Sequence, residues 1–351
     1  MNTSDVATSL DNATLAMLIS PVTTVALPII YLIVFVVSTP CNLISFCVLL
    51  GLAKRKTPTV IFSLNLCLAD LLYSISLPLQ VAYHLWGNDW HFGSVACGVS
   101  TFAFYCNLKC SILTTCAIAV ERYCGVVHPM MMKNRRRSAH KAILICVLIW
   151  VLVFAMNAQW LHHNLVLFIP ELKISTCFDV LPRKLFPAPW VGYLYFGVLL
   201  LLVYVLPLAV LIWCYLAVAL ALRKTVDAST RRSHKRTQAV VLIGAVCFLI
   251  CYLPNIVLQL IHMLYRARGK SVYEYYKITL GVNSLNCCVD PFLYYLASSE
   301  FRHKVMRYLR RLPCCAPGEG EEIITSNMSE VASFTRGPRR DNGTSKSEIM
   351  A

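Results

Sequence analysis

The stretch KNRRRSAHKAILICVLIWVLVFAMNAQWLH (residues 133–162) sets a block of cations against an uninterrupted apolar run. Lys133, Arg135, Arg136, Arg137 and Lys141 crowd its start, and no carboxylate or further cation follows until Glu171. A helix rises about 1.5 Å per residue, so about 20 such residues cross the hydrocarbon core of a bilayer. Residues 140–162 have that length, and a block of cations at one end belongs with lipid headgroups rather than inside a soluble core.

The same alternation recurs along the chain. Further apolar spans are predicted at 25–52, 58–86, 95–128, 190–222, 237–265 and 273–297, making seven in all. Lys54, Arg55 and Lys56 fill the first gap, and Arg223, Lys224, Arg231, Arg232, Lys235 and Arg236 fill the fifth. Arg302, Lys304, Arg307, Arg310 and Arg311 follow the last span. The even gaps hold only Lys173, Arg183, Lys184, Arg266, Arg268, Lys270 and Lys277. Cations concentrated in alternate loops predict a multi-pass protein of the plasma membrane with its odd loops in the cytoplasm and its N-terminus outside. No Lys or Arg precedes Lys54, so the first span lacks the basic flank of a cleaved signal peptide.

Composition agrees. Of 351 residues, 58% are hydrophobic and 14% charged, against roughly 25% charged in ordinary soluble domains. The net charge of +15 does not require nucleic acid as a partner, because the cations are loop clusters explained by the threading. The expected architecture is an all-α seven-helix membrane bundle over 25–298, with an external N-terminal tail over 1–24. A juxtamembrane amphipathic helix is expected over 299–312, where Phe301, Val305, Tyr308 and Leu309 interleave with basic residues suited to a lipid surface. Residues 313–351, rich in Ser, Thr, Gly and charge, are expected to form a disordered cytoplasmic tail.

Modification sites follow from this topology. Asn2 and Asn12 open glycosylation sequons on the external tail, and Cys314 and Cys315 directly after the amphipathic helix are candidates for palmitoylation. Of the 17 cysteines, only Cys97 and Cys177 fall on the expected outer face, where a disulfide between them would pin a loop over the bundle.

Polar motifs then fall one or more to a span. They are Asn42, Leu66-Cys67-Leu68-Ala69-Asp70, Trp90-His91-Phe92-Gly93 before Cys97, Glu121-Arg122-Tyr123, Trp150, Pro207 with Tyr215, Phe248 through Pro254, and Asp290-Pro291-Phe292-Leu293-Tyr294. In this order they resemble the rhodopsin-like G-protein-coupled receptors, over about residues 25–312, and the resemblance implies signalling to a heterotrimeric G protein without catalysis. It implies that Arg122 leaves Glu121 on activation and, with Tyr123, Tyr215 and Tyr294, receives the G protein; the alternative reading of Arg122 is a snorkelling interfacial anchor. Phe248, Tyr252 and Pro254 are implied to form a hinge, although core packing accounts for Phe248 as well. Asp70, Asn107, Ser111, Asn286 and Asp290 gather oxygens at mid-membrane depth, either as a sodium site, which the resemblance implies, or as a protonated or hydrated polar network.

Phe104-Tyr105-Cys106-Asn107, Thr176-Cys177-Phe178-Asp179 and Ser284 through Pro291 are similar to the purinoceptor-like branch. Nucleotide-binding members of that branch carry cations where this chain has Ile256, Gln259 and, in some, Leu280. Phosphate recognition requires clustered cations, so the departure points away from nucleotides. The expected ligand is an anionic amphiphile, with its charge near Lys277 and the outer rim by His262 and Gln259, and its tail among Phe104, Tyr105, Leu108 and Tyr252. Lys109, deep in the third span without an evident acid partner, either meets the ligand's anion or is a neutral or water-paired lysine.

Other function classes fit less well. No internal repeat suggests a transporter, and no nucleophile elbow, zinc-protease or phosphate-loop motif suggests an enzyme. The resemblance further implies arrestin and a receptor kinase as partners acting on tail hydroxyls. It also favours a G protein of the twelve/thirteen class over the inhibitory class.

Overall fold

Thr57 and Pro58 show how this sequence starts a span. The Thr57 hydroxyl accepts the Val60 N–H at 3.4 Å, and Pro58 occupies the first helical turn, where its missing N–H has no helical partner to lose. The helix so begun, α3, runs Pro58–Leu85. The computed structural model describes residues 12–52, 57–128, 135–180, 188–223, 243–244, 246–262, 273–297 and 299–309.

Among the described residues, five helices are long and apolar enough to cross a membrane, and two shorter helical stretches stand where the sixth and seventh spans are expected. α1 (Asn12–Ile19) is a short helix ahead of the first span, which enters through a π turn at Val22–Ala26 and continues as α2 (Leu27–Leu52). After α3 come α4 (Gly93–Val127) and α5 (Arg135–Asn157), then a single turn, α6 (Gln159–His162). The hairpin β1 (Val166–Ile169) and β2 (Ile174–Cys177) pairs antiparallel, Val166 opposite Cys177. The fifth span is α7 (Pro189–Leu199), a π turn at Leu200–Val205 and α8 (Leu206–Arg223). The sixth is α9 (Val246–His262), and the seventh is α10 (Tyr273–Ser284) with α11 (Asn286–Ala297), separated at Leu285. The chain divides after Arg302, and α12 (Ser299–Leu309) is the last described element.

α5 illustrates why a bilayer is needed. Val153 is completely buried while Val151, two residues away, is 62% exposed, so the helix is apolar on its bare face as well as its packed one. In water that face would be a large liability; in hydrocarbon it is the solvated side. Pro40, Pro78 and Pro291 lie inside helices.

Part of the expected N-terminal tail is ordered. Met17 and Leu18 of α1 are buried against Ile169 of β1. Asn88 fastens the segment, donating to the Leu18 carbonyl at 2.6 Å and to the Thr23 hydroxyl at 3.1 Å. Its side-chain oxygen meets His84 Nδ1 at 2.6 Å, and its backbone is left-handed at φ 65°, a conformation Asn tolerates better than most residues.

Candidate functional site

The bundle has one end marked by a disulfide and another marked by Arg122. Cys97 and Cys177 are bonded, closing the hairpin onto the first turns of α4. Trp90 N–H donates to the Ser175 carbonyl at 2.6 Å, and Ser175 N–H to Asp89 Oδ1 at 2.7 Å, so the loop after α3 holds β2 from its other side. Close approach of α4 and α6 needs Gly98, where a Cβ would stand 2.9 Å from the Trp160 carbonyl oxygen.

Beyond Cys177 the chain turns inward. Phe178 takes a left-handed backbone conformation at φ 66° and places its ring against Tyr105 and Trp160, with centroids 5.3 and 5.0 Å away. Asp179, 7% exposed, is thereby driven into the bundle, where it accepts the Tyr83 hydroxyl at 2.7 Å and pairs with Lys277 of α10. The sequence placed Lys277 on an open rim for a ligand anion; here it is buried and already engaged.

Deeper in the bundle is an apolar core. Leu108, Ile112, Leu200, Val203, Tyr204, Leu211, Phe248, Tyr252 and Ile256 form one buried cluster, with Phe104 and Tyr105 packed against it. Phe104, Tyr105, Leu108 and Tyr252, predicted as the tail site, therefore do converge. The Phe248 and Tyr252 rings lie tilted against each other, centroids 4.7 Å apart, just ahead of Pro254. Gln259 and His262 are half-buried on the same helix, His262 lying parallel to Tyr276 of α10 at 6.2 Å.

Lys109 is buried where α4 meets α5. It is 3% exposed and donates to Asn157 Oδ1 on α5 at 2.7 Å, with the Tyr105 ring 5.7 Å from its ammonium. Its immediate partner is thus a neutral amide on a neighbouring helix. Asn157 is itself held, donating to the Val153 carbonyl at 2.6 Å.

Midway along the bundle, Asp70 is fully buried and accepts the Asn107 amide at 2.8 Å, while Asn286 donates to Asp290 at 3.2 Å. Asp70 Oδ2 and Ser111 Oγ have no hydrogen-bond partner among the described residues. Two orphaned oxygens beside a second carboxylate form a hard-oxygen set that fits a small monovalent cation such as sodium. Cys287, which the sequence reading passed over, directs its thiol to Asn107 Oδ1 at 3.5 Å.

At the opposite end Glu121 Oε2 lies 3.6 Å from Arg122 Nε, and the Thr59 hydroxyl reaches the Glu121 carboxylate at 3.4 Å. Tyr123 rests on Trp213 at 4.7 Å, and the Tyr215 hydroxyl lies beside Gly244 of the sixth span, 3.7 Å from where a Cβ would be. The Tyr294 side chain lies outside the described residues, as do Asn2, Cys314, Cys315, Arg183, Lys184, Arg266, Arg268 and Lys270. Asn12 is exposed at the start of α1.

Asp179, Tyr83, Asn157 and Thr59 are the partners that sequence reasoning missed. The two intramembrane lysines were the available signal, since a buried cation demands an acceptor, but nothing in the linear order says which.

The pattern described as "7 transmembrane receptor (rhodopsin family)" matches residues 41–294. The human S-geranylgeranyl-glutathione receptor P2RY8 is 38% identical over 312 residues, covering 88% of this chain and 86% of the relative. The purinoceptor 8 of Gallus gallus is 37% identical over 338 residues, covering 94% and 93%. Human proteinase-activated receptor 2 is 37% identical over 297 residues, covering 84% and 74%.

Proposed function

Because this chain belongs to the rhodopsin family of seven-transmembrane receptors, we propose that it binds an anionic amphiphile at the disulfide end and activates a heterotrimeric G protein at the Arg122 end. It is a receptor and not an enzyme. In this reading the N-terminus and the hairpin are extracellular, and the basic odd loops face the cytoplasm.

The observation that carries the ligand class is the Lys277–Asp179 pair, together with the apolar cluster that includes Leu108, Tyr252 and Ile256. An incoming carboxylate can replace Asp179 at Lys277 while an apolar tail packs among the residues of that cluster. Ile256 and Leu280, both buried, leave the matched nucleotide positions without cations. A relative named for S-geranylgeranyl-glutathione, an acid carrying a prenyl tail, supports the same chemistry.

Sodium is the proposed allosteric ion, held by Asp70, Asn107, Ser111, Asn286 and Asp290. Bound there it would neutralise buried carboxylates and favour the resting arrangement. The proposed coupling is to the twelve/thirteen class, followed by receptor-kinase phosphorylation of the tail and arrestin binding.

The test uses cells expressing the full chain with reporters for each G-protein class, challenged with S-geranylgeranyl-glutathione, a lysophospholipid and nucleoside di- and triphosphates. Activation by one of the amphiphiles is expected, through a twelve/thirteen reporter. Activation by nucleotides alone would overturn the ligand class.

A further inference from the structure

Lys109 and Trp160 are buried donors with too few acceptors. Lys109 of α4 is 3% exposed, and an ammonium offers three protons. Asn157 Oδ1 takes one of them at 2.7 Å. Among the described residues no carboxylate pairs with this ammonium. The Trp160 side chain is 2% exposed, and its indole N–H has no hydrogen-bond partner among the described residues.

The fold brings the two donors to one Tyr105 ring. Tyr105 and Lys109 are four residues apart on α4 and share a side of it. Asn157 and Trp160 are three apart, and Ala158 between them keeps helical angles of φ −54° and ψ −31°, so they share a side where α5 passes into α6. The Lys109–Asn157 bond joins one member of each pair, and the Tyr105 and Trp160 rings meet one turn nearer the disulfide, with centroids 6.3 Å apart. The ammonium lies 5.7 Å from the centroid of the same Tyr105 ring, so cation and indole flank it together.

The neighbouring groups supply no spare counter-charge. Phe178 and Tyr195 complete the surround of Trp160, with ring centroids 5.0 and 6.5 Å away. The Tyr195 hydroxyl is engaged with Gln159 and with the Met156 carbonyl, and the Asn157 nitrogen donates to the Val153 carbonyl at 2.6 Å. A buried ammonium with one neutral acceptor is costly, and a bare indole N–H adds to that cost. One entering anion relieves both, because it brings a charge for Lys109 and lone pairs for the two donors.

We propose that Lys109 and Trp160 form an internal anion site between the third and fourth spans, and that its occupant is chloride. A spherical monovalent ion matches a single cation and accepts from the ammonium and the indole without demanding a lone-pair direction. Asn157 acts as a positioning residue that holds the Lys109 ammonium, and the bound ion ties α4 to α6. The site is separate from the amphiphile reading, which assigns the agonist's anion to Lys277. A carboxylate carried by an agonist has the same chemistry, so the test is made first on unliganded receptor.

The purified full chain, without agonist, is melted in sodium chloride, sodium bromide and sodium gluconate at one sodium concentration. Both halides are expected to raise the melting temperature over gluconate by about 2–4 °C, saturating as halide is increased. Lys109→Met is expected to abolish this halide dependence. Trp160→Phe, which keeps an aromatic ring and deletes only the N–H donor, is expected to cut it by at least half, and carries the comparison if Lys109→Met does not fold. A melting temperature indifferent to halide in the unaltered receptor overturns the site. A halide shift undiminished in the variants overturns it as well, because the ion then binds elsewhere. Halide indifference together with weaker agonist potency in the variants overturns chloride in favour of the agonist's own carboxylate.

Discussion

The Lys109 ammonium donates a 2.7 Å hydrogen bond to the side-chain oxygen of Asn157, joining α4 to α5. Both residues are almost fully buried, and a neutral amide is the acceptor. The two halves of this contact should respond unequally to substitution. Asn157→Leu strands the lysine and is expected to cost about 1–3 kcal/mol. Lys109→Met removes the buried cation but leaves the Asn157 oxygen bare, so it should cost less than Asn157→Leu. Thermal unfolding of the purified receptor checks both, and equal losses in the two variants would contradict this account.

Asp179 stands where a ligand anion is proposed to go. Asp179→Asn keeps an acceptor for Tyr83 but removes the charge competing for Lys277, so the potency of an anionic amphiphile should rise severalfold. Lys277→Ala should lower it by tenfold or more, in line with about 1.5–3 kcal/mol for a charge-assisted hydrogen bond. Concentration–response curves at matched expression decide the point; a fall in potency for Asp179→Asn would show that the pair organises the site rather than guarding it.

Asp70 carries the orphaned oxygen of the mid-bundle set. If sodium binds there, raising sodium against an inert monovalent salt should weaken agonist affinity in the unaltered receptor, and Asp70→Asn should abolish that dependence. Radioligand or fluorescent-agonist binding at constant ionic strength provides the measurement. A variant as sodium-sensitive as its parent would remove the ion from this site.

Glu121 restrains Arg122 at 3.6 Å and is itself touched by Thr59. Arg122 is 33% exposed, so the pair is solvent-screened and worth about 0.2–1 kcal/mol. Glu121→Gln should therefore raise basal G-protein activation by about two- to fivefold, and Thr59→Val by less in the same direction. Ligand-free nucleotide exchange on reconstituted G protein reports this directly.

Much of the architecture was readable from residues 133–162 and the gaps that repeat their pattern, because hydropathy and charge are local properties of a chain that must partition between lipid and water. The Cys97–Cys177 bond, the Glu121–Arg122 contact and the Asp70 and Asp290 oxygens were likewise singled out, each by an unusual residue at a particular depth. Helix ends were less legible. The fourth span was expected to run through 162 but stops at Asn157, where a separate turn begins at Gln159. The helical segment Asn12–Ile19 was concealed within an expected tail, since its burial depends on Ile169 of the hairpin.

The sequence by itself determined which segments enter the membrane, their number and the family of polar motifs they carry. Tertiary structure alone decided what those polar groups meet: Asp179 for Lys277, Asn157 for Lys109, and, among the described residues, nothing for the oxygens of Asn255 and Gln259. The reason is rotational. Hydropathy specifies that a helix is buried, but the azimuth at which it faces its neighbours is set by packing among several helices, and a hydrogen bond exists only where two such azimuths agree.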